Sequence, residues 1–95
     1  MKAVITVVGK DTVGILAKVS GKCAEYNVNV LEVSQTVLRE MFCMIMVCDI
    51  SQINIEFNSF ADIMAELGKS VNLSIHTMHE DIFDSMHRIW GYIDD

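Results

Sequence analysis

No stretch of this sequence is apolar for long enough to span a bilayer, and none is polar and turn-rich enough to read as a linker. The 95 residues are therefore expected to form one domain, large enough to bury a core without staples. Basic residues are also short: seven Lys and Arg stand against 13 Asp and Glu, a formal net charge of −6. That balance argues against nucleic acid or an anionic membrane as a direct partner, since both reward basic patches. Cysteine is scarce, with Cys23, Cys43 and Cys48 forming no Cys-x-x-Cys pair. All three sit in runs that read as buried, so structural thiols in a reducing cytoplasm are expected. The start, Met1-Lys2 and then Ala3 to Val8, is too short a run for a signal peptide and is ended by Gly9-Lys10-Asp11. Phosphate-binding motifs are missing too. Gly14 is followed by Ile15 where a P-loop needs Lys and then Ser or Thr, and Asp11 stands where a dinucleotide fingerprint needs its second glycine.

What is present is apolar. Hydrophobic residues make up 52% of the chain and charged ones 21%, a balance that implies apolar surface covered by another subunit. A homo-oligomer is expected.

The chain is organised around Val8-Gly9-Lys10-Asp11-Thr12-Val13-Gly14-Ile15. Ala3 to Val8 is β-branched after its first residue and favours a strand. Gly9 supplies a sharp turn. Asp11 and Thr12 are good N-cap residues, and Ile15, Leu16, Val19, Cys23 and Tyr26 then recur near the helical period. The loop thus delivers a helix N-terminus, whose unpaired N–H groups and dipole suit a carboxylate. Gly14 lets a small ligand or another backbone approach the first turn. The same glycines also have a plain structural reading, as turn and as helix-on-sheet packing.

Asn27 reads as the end of this helix. Asn29 to Leu38 alternates, with Leu31, Val33 and Val37 against Glu32, Ser34 and Thr36, as an edge strand does. A turn at Arg39-Glu40 lacks the Gly or Asn of tight hairpins. Met41 to Ile50 is apolar on both faces and reads as a central strand covered twice. A second helix starts from an N-cap at Asn58 or Ser59, shows Phe60, Ile63, Met64 and Leu67 on one face, and is weakened at its end by Gly68. Asn72 to His79 alternates again as the second edge strand. The order βαββαβ is the ferredoxin-like α+β arrangement, with the first and third strands central. Beyond it, Ile82, Phe83, Met86, Ile89, Trp90 and Ile93 form an apolar stripe on a third helix. Residues 1–80 form the domain, and 81–95 form a helix packed on that domain or at an oligomer interface.

The order of elements, the loop Gly9-Lys10-Asp11-Thr12-Val13-Gly14-Ile15 and the segment Asn27-Val28-Asn29-Val30 together resemble the ACT domain, a small regulatory module that commonly binds amino acids. The ending, His79-Glu80-Asp81-Ile82-Phe83 with Met86-His87-Arg88-Ile89, is similar to that of small ACT proteins related to the glycine-cleavage repressor. The resemblance implies a ligand pocket at a subunit interface, built by the first loop of one chain and neighbouring strands of the other. It assigns ligand contact to Gly9, Asp11, Val13, Gly14, Ile15 and Asn29. Asp11 suits an ammonium, Asn29 either end of an amino acid, and the backbone N–H groups a carboxylate. Asp11 and Asn29 have structural alternatives, as helix cap and turn residue.

Other chemistry is set aside. On a strand, His76 and His79 point to opposite faces and do not share a metal. Cys43 and Cys48 read as buried, which raises a thiol pKa. Trp90 and Tyr92 suit apolar anchoring better than base stacking. No nucleophile, base and orienting group are arranged together, so neither an enzyme nor a cofactor is expected. The reading is a cytoplasmic, amino-acid-sensing ACT protein that acts through its oligomer interface or a protein partner. The alternative is a ligand-free interaction module.

Overall fold

Six elements follow one another: β1 (Lys2–Lys10), α1 (Ile15–Glu25), β2 (Asn29–Leu38), β3 (Met41–Asp49), α2 (Phe57–Ser70) and β4 (Leu73–His79). A third helix, α3, leaves β4 directly and is described over residues 80–86. This computed structural model describes residues 1–10 and 13–86, with the Leu38 side chain excepted. The strands form one antiparallel sheet in the order β2-β3-β1-β4. The expected ferredoxin-like topology is found, with β1 and β3 central and β2 and β4 at the edges.

The register explains the core. β1 pairs with β3 from Lys2↔Asp49 to Lys10↔Met41, and with β4 from Ala3↔His79 to Gly9↔Leu73. Because side chains alternate along a strand, Ala3, Ile5 and Val7 share one face with Phe42, Met44, Met46 and Cys48 and with Leu73 and Ile75. All are buried, against Ile15, Val19 and Cys23 of α1 and Phe60 and Met64 of α2. Each large side chain sealed here contributes about 1.5–3 kcal/mol. Tyr26 meets Phe60 edge to face at 6.0 Å, tying the end of α1 to α2.

The centre of this core is rich in sulfur: Met44, Met46, Met64, Cys23 and Cys48 are all at most 1% exposed. The Cys23 and Cys48 thiols hydrogen-bond to each other. The hydrogen bond with Cys23, and after it burial, push the Cys48 thiol far above its ordinary range. Cys43 departs from expectation. It lies on the opposite face of β3, away from α1 and α2, and is exposed, while Ile45 and Val47 beside it are only half-buried. β3 is therefore fully covered on one face only.

Helix ends follow two rules. Asn27 and Asn72 take left-handed backbone, φ 62° and 63°, two residues past the ends of α1 and α2, a conformation Asn tolerates. After α1 the Val28 N–H reaches the Cys23 carbonyl at 2.8 Å and the Asn27 N–H reaches Ala24 at 3.2 Å, satisfying the last carbonyls. The Asn27 side chain also donates to the Gln52 carbonyl at 2.9 Å. N-termini differ from expectation. The cap of α1 is Gly14, not Asp11 or Thr12, which lie outside the described residues. The cap of α2 is Glu56, not Asn58 or Ser59, with no side-chain capping bond. The Phe57 ring, at the first residue of α2, stacks on His79 at 4.1 Å.

Two glycines serve close approach. Gly9 is not a turn residue; it lies within β1, where a Cβ would collide with the Leu73 side chain. Gly68 does not weaken the end of α2. It is buried inside the helix, and a Cβ there would stand 2.7 Å from the Leu73 carbonyl and 2.9 Å from Ile75 Cγ1. Arg39 closes the β2–β3 hairpin at φ 60°, supplying the backbone that Gly or Asn usually provides.

Gly68→Ala should accordingly lower stability by about 1–3 kcal/mol, since backbone must move to admit the methyl. In Gly21→Ala the new methyl, mid-helix in α1, meets nothing within 4 Å, so a gain of about 0.5–1 kcal/mol is expected. Denaturant unfolding of both variants checks the contrast.

Candidate ligand-binding site

The expected site residues divide into two groups. Gly9, Val13, Gly14 and Ile15 gather at the end of the sheet where β1 finishes. Asp11 lies outside the described residues. Asn29 opens β2 and pairs with Asp49, which pairs in turn with Lys2, so it sits at the opposite end of the sheet. Seven residues of β1 separate Lys2 from Gly9, about 23 Å at strand rise. Within one chain the two groups do not meet.

At the loop end, Val13 is 99% exposed. Gly14 takes φ 83°, and a Cβ on it would meet nothing within 4 Å. Conformation rather than packing calls for glycine there. The Gly14 carbonyl accepts the Lys18 N–H at 3.0 Å, starting the helix. The N–H groups of Ile15, Leu16 and Ala17 precede that first intrahelical bond. Gly14 brings no side-chain cap, and the first turn holds no acidic residue. The positive end of α1 is thus uncompensated by its own first turn and suited to an anion. On its other flank Gly9 borders a hollow of about 410 Å³, with Lys69 and Asn72 on its rim.

At the Asn29 end the neighbour across the ladder is Asp49. Its carboxylate accepts the Ser51 N–H at 2.9 Å, and that bond holds it below the usual range for Asp. The sequence reading passed over this carboxylate. Counting back from the Arg39-Glu40 turn would place Asn29 opposite Ile50; the bulge at Leu31, between Val30 and Glu32, shifts the register by one.

The edge of β2 carries apolar side chains that stay exposed. Leu31 is 45% exposed, Val33 40% and Val37 54%. α1 contacts β2 and α2 contacts β4. His76 and His79 fall on opposite faces, His79 against Phe57 and His76 on the face away from α1 and α2. Among the described residues no group of three or more His, Cys, Asp or Glu is placed to hold a metal. No helix among them is long and apolar enough to cross a membrane.

Residues 2–79 match the family model of the ACT domain. The chain belongs to the ACT domain family. A UPF0237 protein of Clostridium perfringens is 52% identical over 89 residues, spanning 94% of this chain and 100% of that one. The ACT domain protein from Streptococcus pneumoniae superposes with a TM-score of 0.76 at 43% identity, over 87% of this chain and 93% of that chain. A putative glycine cleavage system transcriptional repressor shares the fold at a TM-score of 0.64 and 20% identity, over 80% of this chain and 43% of that one. ACT domains are regulatory, ligand-binding modules that often oligomerise.

Because φ 83° is strained for a residue with a Cβ, Gly14→Ala should cost about 1–2 kcal/mol although its methyl points into open space. A chemical denaturation midpoint lowered to that extent, with unchanged helix content by circular dichroism, is the expected result.

Proposed function

We propose that two copies pair through β2 and bind an amino acid at each end of the joint, as a cytoplasmic sensor. The observation that supports this is the register that separates Asn29 from the loop. An antiparallel pairing of β2 with β2 of a second copy runs one strand up and the other down. Asn29 of one copy then stands level with Leu38 of the other, at the end of the sheet where β1 gives way to the loop. The two halves of the candidate site are brought together by the two-fold axis, and a C2 interface makes two such sites. The same pairing satisfies the unpaired N–H and C=O groups of a ten-residue edge and covers Leu31, Val33 and Val37.

Chemistry divides the ligand between the copies. Its carboxylate goes to the N–H groups of Ile15, Leu16 and Ala17, with Gly9, Val13 and Gly14 shaping the approach. Its ammonium goes to Asn29 and Asp49 of the other copy. Binding in this form is assembly-dependent, so ligand shifts the population toward the paired state by its differential affinity. That coupling is what a regulatory module transmits to a partner.

A panel of amino acids followed by thermal unfolding tests the proposal. At about 100 times its dissociation constant a ligand adds about 2.7 kcal/mol, or roughly 10 to 20 °C for a domain of this size. Asn29→Ala should abolish the shift, and Val33→Lys should both abolish it and yield monomer by ultracentrifugation. No shift with any amino acid would transfer the function to ligand-free protein interaction. The pH dependence has a definite sign. Asp49 is depressed, so it stays ionised on acidification below the ordinary Asp range. Binding that relies on it is retained there and lost only as pH falls through its lowered value, and in Asp49→Asn this acid limb should disappear together with part of the affinity.

A further inference from the structure

Two of the three cysteines face each other across the joint between α1 and β3. Cys23 lies in the last turn of α1 and Cys48 near the end of β3, and their thiols are in hydrogen-bond contact. Both are at most 1% exposed, and the proposed ligand site uses neither. The backbone holds them together independently of the side chains. The Cys23 carbonyl accepts the Val28 N–H at 2.8 Å, and two residues along, Val30 is the ladder partner of Cys48. Beyond the two cysteines the joint is fastened again. The Asn54 N–H donates to the Tyr26 carbonyl at 3.1 Å, the Asn54 side chain to the Glu25 carbonyl at 3.3 Å, and the Asn27 side chain to the Gln52 carbonyl at 2.9 Å. A disulfide needs two cysteines whose backbones are already close, and this joint supplies such a pair.

We propose that Cys23 and Cys48 are a redox modification site, a dithiol that a hydroperoxide converts reversibly into an intrachain disulfide. The Cys23 thiolate attacks one oxygen of hydrogen peroxide. The O–O bond breaks, giving the Cys23 sulfenic acid and a hydroxide that leaves as water. The Cys48 sulfur then attacks the Cys23 sulfur and displaces the hydroxyl group, which takes up the Cys48 proton and departs as the second water. Two thiols are oxidised by two electrons in all, and one peroxide is reduced to two waters.

The order of events follows from the bond between the thiols. The bond from Cys48 holds the Cys23 thiol below its ordinary value, while the same bond and burial raise Cys48, so Cys23 is the thiolate that reacts first and Cys48 the one that resolves it. Burial decides the oxidant and the end point. Both sulfurs are sealed from solvent, and a peroxide, little larger than water, reaches them in brief local openings. With Cys48 already in contact, the sulfenic acid is consumed before a second peroxide arrives. Cys43, exposed on the opposite face, is the contrast within the same chain, since no further thiol is there to resolve it.

The test exposes the folded, full-length chain to hydrogen peroxide, alkylates the remaining thiols in denaturant and reads the products by mass spectrometry. The expected product is a Cys23–Cys48 linked peptide, lighter by two hydrogens, which dithiothreitol returns to the free thiols. Cys43→Ser should leave that product unchanged. In Cys48→Ala, shown by circular dichroism to be folded, the reaction should stop at a Cys23 sulfenic acid that dimedone traps, whereas Cys23→Ala should leave Cys48 unmodified at the same exposure. Sulfinic or sulfonic acid as the main product at Cys23 of the unaltered chain would overturn the proposal. So would Cys23 and Cys48 both left as free thiols once Cys43 is fully oxidised, or a disulfide formed only through Cys43. None of these readouts involves amino-acid binding, so this inference stands or falls apart from the ligand site.

Discussion

Everything in this molecule depends on a constraint of chain direction. β1 and β2 run parallel with β3 between them, as do β3 and β4 with β1 between them, and each such pair needs a helical crossover. Right-handed crossovers put both helices on the same side of the sheet. That side becomes the core, where Ile5, Met44 and Met46 meet Val19, Phe60 and Met64. The other side receives nothing from the repeat itself. Among the described residues the one extra element, α3, goes to the face that the topology leaves bare.

The same constraint exposes the flank. With β1 and β3 enclosed, β2 is left with one unpaired side for all its ten residues. Isolated proteins blunt such an edge with charge, proline or brevity. Here the inward residues beyond the bulge are Val33, Gln35 and Val37, and none is charged. The edge therefore lacks the charges that usually blunt pairing, and Asn29 opens it at one end.

How much of this was legible in the sequence varies with the physics involved. Periodicity located every strand and both main helices to within a few residues, because alternation and the helical repeat directly encode which face is buried. Asn27 was readable as a helix end because few side chains tolerate left-handed backbone. The glycines were misread in part: Gly9 and Gly68 look like punctuation in one dimension, while their purpose, approach to Leu73 and Ile75 on another element, exists only in three. Helix starts were misplaced: α2 begins at Phe57, whose ring stacks on His79, a contact that is not local in sequence. Cys43 was assigned to a covered face because the sequence cannot say which of two apolar faces a helix will reach. In the candidate site, the loop was legible from its glycines and the anion-binding logic of a helix start. Asp49 was not, since a single bulge at Leu31 decides which residue stands beside Asn29.

The sulfur in the core has a mechanical consequence. Methionine is unbranched and polarizable, and it fills irregular space by rotating about several soft bonds. Where branched side chains would lock like cut stone, Met44, Met46 and Met64, with the small thiols of Cys23 and Cys48 beside them, make an interior that yields. α1 sits on this compliant bed with its first turn at the candidate site and its last turn knotted to the Gln52 and Asn54 segment. An interior of this kind adapts to small changes of shape more readily than one of branched side chains would.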